Sequence, residues 1–354
     1  MTELLPTFLD SLLTDGELTS LIGTEADCAA MLRFELALAA AEAEVELIPR
    51  QAASRIIEAA QTFRPDLDQL RRGALKDGVV AADFVRQLRV HVGEPEAGHV
   101  HTGATSQDVI DTALALKLGP VLALFEARLG AVISALDRLK ADFAGEPLMG
   151  RTRMQAAIPI TAGQRIAVWR GLLDRAAKAL VEVRARNLIV SLAGAAGSSD
   201  KLGHQAEEIR HHMAAALGLS VPDYVPHAAR DRIISLGDWL SQVTGALGKM
   251  GQDIALMAQN EIGEVTLAGS GGSSAMAHKQ NPVRAEVLVT LARFNAVQVS
   301  GLHLSLIHEQ ERSGAAWTLE WMILPQMLNT TGTALLHAGN LLASVTRMGS
   351  PSSA

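Results

Sequence analysis

The helical pattern of this sequence is clearest in residues 110–139, which read IDTALALKLGPVLALFEARLGAVISALDRL. Apolar side chains recur there at steps of three or four, from Ile110 through Phe125 to Leu139. This spacing places them on one face of a helix. We therefore predict one long helix, with a kink at Pro120 because proline lacks the N–H that a helix needs.

A second apolar series, with steps alternating between four and three, runs through residues 236–257. Its members are Leu236, Leu240, Val243, Leu247, Met250, Ile254 and Met257. Such a heptad-like seam is typical of long helices that pack nearly parallel. Gly245, Gly248 and Gly251 recur in the same segment and let another helix approach closely. We predict that this helix packs against copies of itself in other subunits.

The rest of the chain supports an all-α fold. Further helical patterns cover residues 26–46, 163–189, 283–306 and 318–344. Alternating patterns suited to strands are scarce, and glycine and proline indicate loops at 145–159 and 263–272. We predict a long-helix bundle with a smaller N-terminal helical domain. Its parts are residues 1–104 (N-terminal domain), 105–345 (bundle) and 346–354 (disordered tail).

Composition restricts the classes of partner and compartment. The 354 residues are 48% hydrophobic and 19% charged, with a formal net charge of −7, which favours a globular protein and disfavours nucleic-acid binding. An anionic ligand would need a local positive pocket made by a few cations and helix N-termini. Cys28 is the single cysteine, no signal peptide is visible, and the apolar segments are interrupted by charges. We expect a cytoplasmic protein outside the membrane.

The most informative motif is residues 272–282, GSSAMAHKQNP. By itself it indicates a flexible loop before a helix, with Asn281 as the cap and Pro282 at the first helical position. It resembles the signature Gly-Ser-Ser-x-Met-x-x-Lys-x-Asn-Pro of the fumarase/aspartase superfamily. The resemblance implies that Ser273 is the catalytic acid/base on a closing loop and that Lys279 and Asn281 bind the carboxylates and the developing charge. Ser274 and Met276, within the same match, are predicted to contact substrate.

Residues 101–112, HTGATSQDVIDT, directly precede the first long helix. Thr105 and Asp108 have the spacing of a capping box, so an ordinary helix start explains them. A helix N-terminus beside hydroxyl groups also suits a carboxylate ligand. The stretch resembles the family's Thr-Ser-x-Asp region, which implies that Thr105 and Ser106 bind substrate carboxylate.

Residues 150–155, GRTRMQ, resemble the family's Gly-Arg-Thr-His-x-Gln region, with Arg153 in place of histidine. That histidine is the proposed acid in adenylosuccinate and argininosuccinate lyases, and a guanidinium is a poor proton donor. Surface charge would explain Arg151 and Arg153, but two arginines in a loop otherwise free of charge favour anion binding. Thr152 and Gln155 are predicted substrate contacts by the same match.

Within the superfamily the chain is most similar to the bacterial 3-carboxy-cis,cis-muconate cycloisomerases. The matching segments include residues 194–198, 227–232, 263–265 and 308–313, and the last makes Arg312 a candidate substrate ligand. The resemblance implies closure of 3-carboxy-cis,cis-muconate to 4-carboxymuconolactone in protocatechuate degradation, or of an analogue such as 3-sulfomuconate, by a homotetramer with shared sites. A fumarate-releasing lyase and a non-catalytic helical protein are the alternatives. Relatives usually carry a third helical domain, which we expect to be absent here.

Proton transfer has two candidate carriers in the sequence. Ser273 is the first, although a serine hydroxyl needs activation, and His101 is the second because imidazole titrates near neutral pH. A structural histidine remains the alternative reading for His101. The sequence has neither convincing metal-ligand spacing nor a phosphate-binding glycine motif, so we predict neither a metal nor another cofactor.

Overall fold

A computed structural model describes residues 7–269, 271–272, 276 and 280–351. The N-terminal helices are α1 Asp10–Leu13, α2 Gly16–Ile22, α3 Thr24–Glu44, α4 Arg50–Ala60, α5 Leu67–Asp77 and α6 Ala81–Val92. The longer helices are α7 Ser106–Phe143, α8 Ala162–Asn187, α10 Asp231–Met257, α11 Val283–Ser305 and α12 Gly314–Ala343, with α9 Ala206–Leu217 between α8 and α10. The all-α prediction is confirmed, and α7 continues through Pro120 as one 38-residue helix.

The five longer helices form a bundle in which chain neighbours run in opposite directions. Arg230, just before α10, binds Asp111 near the start of α7, and Glu320 near the start of α12. The end of α10 lies against the start of α11, where Gly251 faces Ala285. One end of the bundle therefore holds the starts of α7, α10 and α12, and we call it the α7-start end. The opposite end, at Phe143, is the hairpin end.

The apolar seam of α10 lies inside this chain, so the seam itself does not contact other subunits, and packing of α10 against copies of itself stays a prediction for its other faces. All seven seam residues are 0–2% exposed, covered by α8, α11 and α12. Gly248 and Gly251 beside the seam serve the same intramolecular packing: a Cβ on Gly251 would lie 2.6 Å from the Ala285 oxygen. Periodicity identified the buried face, but the covering helices come from the same chain.

A second, smaller core lies at the α7-start end. It combines apolar side chains of α3, α4, α6 and α9 with the first turns of α7 and with the segment around Val190 and Leu192. Residues far beyond 104 thus pack with the N-terminal helices. The division of the chain into two domains at residue 104 therefore stays a prediction.

Three short antiparallel pairs occur in segments that were predicted as loops or as a disordered tail. β1 Pro147–Thr152 pairs with β2 Gln155–Thr161, and β4 Gly271–Gly272 pairs with β5 Gln280–Asn281. β3 Val265–Leu267 pairs with β6 Val345–Met348. The tail prediction from 346 is therefore wrong as far as Met348, which is buried because its strand completes the ladder with β3. The predicted cap at Asn281 is also wrong, since Asn281 lies in β5 and α11 begins at Val283 without a side-chain cap.

We predict that Gly251→Ala destabilises the protein by roughly 1–3 kcal/mol, because the new methyl would overlap the backbone of α11. The matched control is Gly245→Ala on the same helix, where the Cβ position has no neighbour within 4 Å. There the better helix propensity of alanine should stabilise the protein by up to about 1 kcal/mol. Thermal unfolding followed by circular dichroism measures both. Equal shifts for the two variants would contradict the close approach of α10 and α11.

Candidate functional site

Asp108 organises the backbone at the start of α7. Its buried carboxylate accepts hydrogen bonds from the N–H of Thr105 (3.0 Å), Ala193 (2.9 Å) and Gly194 (3.0 Å). It lies 2.7 Å from Nε2 of His227, whose side chain is 2% exposed. One carboxylate thus joins α7 to two loops, 191–194 and the segment before α10. The N3 position predicted from the capping-box spacing has a much larger structural role than capping.

One turn further along α7, a buried ionic network begins at Asp111. Arg230 binds Asp111 at 2.5 Å and Glu320 at 2.6 Å, and all three side chains are at most 3% exposed. Burial alone would raise the pKa of Asp111, but the guanidinium groups of Arg230 and Arg232 outweigh it and hold that pKa below its ordinary value. The carboxylate therefore stays ionised and ties α7 to α10 and, through Arg230, to α12.

Arg312 lies at this same end of the bundle. Its Nε donates to the Oε1 of Gln107 at 2.8 Å, and its Nη2 donates to the Ala195 carbonyl at 3.0 Å. Gln107 adjoins Ser106 and Thr105, which are half-buried. The structure therefore brings Thr105, Ser106 and Arg312 together around the first turn of α7. The free N–H groups and the helix dipole there favour an anion.

His101 lies four residues before Thr105 and is held from α3. Its Nδ1 is 2.7 Å from Oε1 of Glu35, with side-chain exposures of 13% and 1%. His101 has φ of +65°, a left-handed conformation that is uncommon for residues other than glycine. Glu42 lies seven residues after Glu35 on the same helix. Burial and the charge of Glu35 raise the pKa of Glu42 to about 9.

The hairpin β1–β2 carries the second predicted set at the opposite end. Nη1 of Arg151 binds both carboxylate oxygens of buried Glu264, at 2.9 and 3.0 Å, so this arginine fastens the hairpin to the bundle. Thr152 and Gln155 are exposed and pair with each other beside the tip. The tip residues Arg153 and Met154 have φ of +49° and +67°, as two-residue hairpin turns require.

Arg153 is exposed. In the part of the chain that the structure describes, it forms neither a hydrogen bond nor an ion pair. Two consecutive non-glycine residues with positive φ are strained, and strain of this kind concentrates at functional sites. The hairpin therefore presents a free guanidinium on a fixed turn, whereas the guanidinium of Arg151 is already paired.

The serine motif lies largely outside the described residues, and this applies to Ser273, Ser274 and Lys279. The described flanks show how the segment is held: Gly271 pairs with Asn281 and Gly272 pairs with Gln280. The two described flanks are thus paired with each other next to the start of α11. Met276 within it is exposed.

The candidate residues of one chain fall at two distant ends of the bundle. Thr105, His101 and Arg312 lie at the α7-start end, while the hairpin and the described flanks of the serine motif lie at the hairpin end. With 38 residues, α7 alone separates these ends by about 57 Å at ~1.5 Å per residue. A single chain therefore cannot bring them around one small substrate.

Comparison with known proteins identifies the family. Residues 14–301 match the sequence profile described as lyase. The chain belongs to the lyase family of the fumarase/aspartase superfamily. It is 39% identical to the 3-carboxy-cis,cis-muconate cycloisomerase of Pseudomonas aeruginosa over 318 residues, which cover 88% of this chain and 69% of that protein.

Other members of the lyase family are similarly close. The nitrosuccinate lyase of Streptomyces davaonensis is 36% identical over 336 residues, which cover 90% of this chain and 70% of that protein. The crystal structure of the 3-carboxy-cis,cis-muconate lactonizing enzyme from Pseudomonas putida superposes with a TM-score of 0.90 at 36% identity. That superposition covers 97% of this chain and 77% of the Pseudomonas chain. The superfamily and the fold predicted from the serine motif are confirmed.

The sequence did not predict some of the residues that shape this lyase-family chain. Glu35 and Glu42 are buried carboxylates seven residues apart on α3, a helix whose apolar and polar residues are not separated onto different faces, so the sequence pattern did not mark them as buried. Glu264 was noticed only as part of a similar segment, since nothing in the sequence showed that it would pair with Arg151. Within the described residues, His, Cys, Asp and Glu side chains do not form a group of three or more suited to a metal ion, and cofactor independence stays a prediction.

We predict that Glu42→Gln stabilises the protein in a pH-dependent way. The pKa of the folded carboxyl is about 9, against an ordinary value of 4.5, so between these values the unfolded chain releases a proton that the folded chain keeps. Stability of the wild type therefore falls as pH rises through this range, by up to roughly 3 kcal/mol at pH 7. Glutamine cannot ionise and should remove this fall.

The measurement is thermal unfolding of wild type and variant at pH 5 and pH 7. The variant's advantage should be small at pH 5 and clear at pH 7. Glu44→Gln, at an exposed position of the same helix, is the control and should change stability little at either pH. An advantage for Glu42→Gln that does not depend on pH would contradict a protonated Glu42.

Proposed function

We propose that this chain is a cycloisomerase that closes 3-carboxy-cis,cis-muconate, or an analogue with another anionic substituent at carbon 3, to the muconolactone. The observation that carries the proposal is the 39% identity to a cycloisomerase of that substrate over 88% of the chain. The free guanidinium of Arg153 and the helix N-terminus described above suit a polycarboxylate. We further propose that it acts without a cofactor, in the cytoplasm, in the degradation of aromatic compounds such as protocatechuate.

The reaction adds a carboxylate oxygen of the substrate across its own conjugated double bond. Negative charge then develops on the neighbouring acid group, and preorganised donors stabilise such charge strongly. Lys279 and the N–H groups at the first turn of α7 are the proposed donors. Protonation of the adjacent carbon completes the lactone, and Ser273 is the proposed proton carrier.

Arg153 supports cyclisation over fumarate release. A guanidinium stays protonated at neutral pH and cannot act as the acid that a histidine supplies at this position in the resembling lyases. It can hold an additional anionic group on the substrate. A lyase acting on a succinyl adduct remains the second candidate, because the nitrosuccinate lyase is 36% identical to this chain.

We propose that the working protein is a homotetramer in which each site combines both bundle ends from different copies. The separation of about 57 Å along α7 requires parts from more than one chain. The surface of α11 suits such contacts, since Val297 and Leu304 are about 70% exposed and Phe294 lies on the same side.

α7 and α11 are long and apolar enough to cross a membrane by composition. In α7, however, the apolar residues fill the core and Arg128 pairs with Asp15 and Glu17.

The first test combines substrate choice with two substitutions. Wild-type protein should consume 3-carboxymuconate, which is measured as the loss of the conjugated-diene absorbance. It should release no fumarate from succinyl adducts. Ser273→Ala should lower kcat by ~10²-fold or more with little change in KM. Lys279→Met should impair kcat and KM together, because it removes a contact present in ground and transition states.

Ser20→Ala, an exposed serine of α2, is the control and should retain full activity. Circular dichroism must show that each variant is folded. Fumarate release without diene loss would replace the cycloisomerase with the lyase, and inactivity on all substrates would favour a non-catalytic protein. Near-full activity of folded Ser273→Ala would remove Ser273 as the proton carrier.

The second test addresses shared sites. Ser106→Ala and Lys279→Met each damage one bundle end, so each homomeric variant should be weakly active. Co-expression should restore activity several-fold above either parent, because some mixed tetramers contain a site built from the two undamaged ends. Separately purified variants mixed without subunit exchange provide the control. Absence of any recovery in mixed oligomers, or only monomer in light scattering at micromolar concentration, would contradict the assembly.

A further inference from the structure

The pair formed by His101 and Glu35 is built into the fold more firmly than a surface contact. Glu35 is buried on α3, and its Oε1 lies 2.7 Å from Nδ1 of His101. The backbone before the histidine is fixed from α6, where Arg89 donates to the Val100 carbonyl through Nε (3.3 Å) and Nη2 (2.9 Å). Contacts from α3 and α6 thus hold both the imidazole ring of His101 and its left-handed backbone in place.

The hydrogen bond to Glu35 determines which nitrogen of the ring is available. A carboxylate can only accept, so Nδ1 carries the proton that is shared with Glu35. Nε2 is then free to accept a proton, and it forms no hydrogen bond with any described residue. Neutral imidazole otherwise prefers the proton on Nε2, so the arrangement selects the less common form.

Glu42 is the second buried acid of α3, and it does not compete with Glu35 as the charged partner of His101. Burial keeps Glu42 protonated at neutral pH, as its pKa of about 9 indicates. Two ionised carboxylates on this buried face would repel each other. With Glu42 neutral, the negative charge of Glu35 faces His101 alone.

We propose that Glu35 is the positioning residue of the site: it fixes His101 with its Nε2 lone pair accessible, so that His101 exchanges a proton with the reacting groups at the α7-start end. The inference rests on the proposed function. A serine hydroxyl is too weak an acid and base to work alone near neutral pH.

The other charged groups near His101 come from three elements. Arg89 of α6 lies at the Val100 carbonyl, and Lys201 of the loop before α9 lies beside Gly103. Asp108 of α7 is bound to the Thr105 N–H. None of them pairs with the ring in the described structure, so the charge of Glu35 is the one that acts on it directly.

The experiment is a double-mutant cycle on kcat with Glu35→Gln, His101→Asn and the double variant, with Glu42→Gln as the matched buried control. Glu35→Gln should lower kcat about tenfold with KM changed less than about twofold. The double variant should be no slower than His101→Asn.

A second measurement is independent of turnover. Diethyl pyrocarbonate acylates an unprotonated ring nitrogen, and mass spectrometry resolves each histidine. At pH 8, Glu35→Met should slow acylation of His101 about fivefold, since the proton moves to Nε2. Exposed His204 should be unaffected. Methionine suits the buried position, so this variant is expected to fold.

The outcomes separate the inference from the proposed function. If the protein turns over no muconate, the proposed function fails and the acylation rates alone decide the inference. Unchanged acylation of His101 in Glu35→Met overturns it. So does a double variant that loses the full product of both single effects, because Glu35 would then act only through the fold.

Discussion

The structure depends on the two buried carboxylates in the first turns of α7. Asp108 gathers backbone N–H groups from two loops, and Asp111 meets Arg230, which also binds Glu320. Removing one partner of such a buried set leaves an uncompensated charge, at a cost of about 3–5 kcal/mol. A pair of leucines would hold the helices equally well but would not fix their rotation. The ionic network fixes where Thr105, Ser106 and Arg312 lie relative to one another.

The same network explains why few cations at that end are free for a ligand. Arg230 is paired with two carboxylates, and Arg312 donates hydrogen bonds to Gln107 and to a backbone carbonyl. At the other end, Arg151 is paired with Glu264. Among the candidate site residues that the structure describes, the groups left for an anion in this chain of net charge −7 are the helix N–H groups and Arg153, and Lys279 is proposed to add to them. These lie at opposite ends of α7, so neither end alone can neutralise a substrate with several carboxylates.

Sequence predicted the helices well because a buried helical face repeats every three or four residues regardless of its neighbours. It could not predict what covers that face, and the α10 seam is covered by helices of the same chain. The β1–β2 hairpin was read as a loop because its Arg153-Met154 turn lacks the Asn-Gly signal of positive φ. Motif resemblance supplied Thr105, Arg153 and Ser273 as candidates, whereas Glu35 was missed because a carboxylate within an alanine-rich helix resembles a surface residue.

Activity and assembly should therefore be inseparable in this protein. The exposed apolar side of α11, with Val297 and Leu304, would be costly in a monomer and is typical of a subunit contact. Burying it in an antiparallel pair of bundles would place the hairpin end of one chain beside the α7-start end of another. The hydrophobic contact that stabilises the oligomer would then also bring Arg153 to Thr105. Under the proposed function and assembly, a bundle that did not associate would present two half-sites and would not catalyse the ring closure, so both properties depend on the same helices.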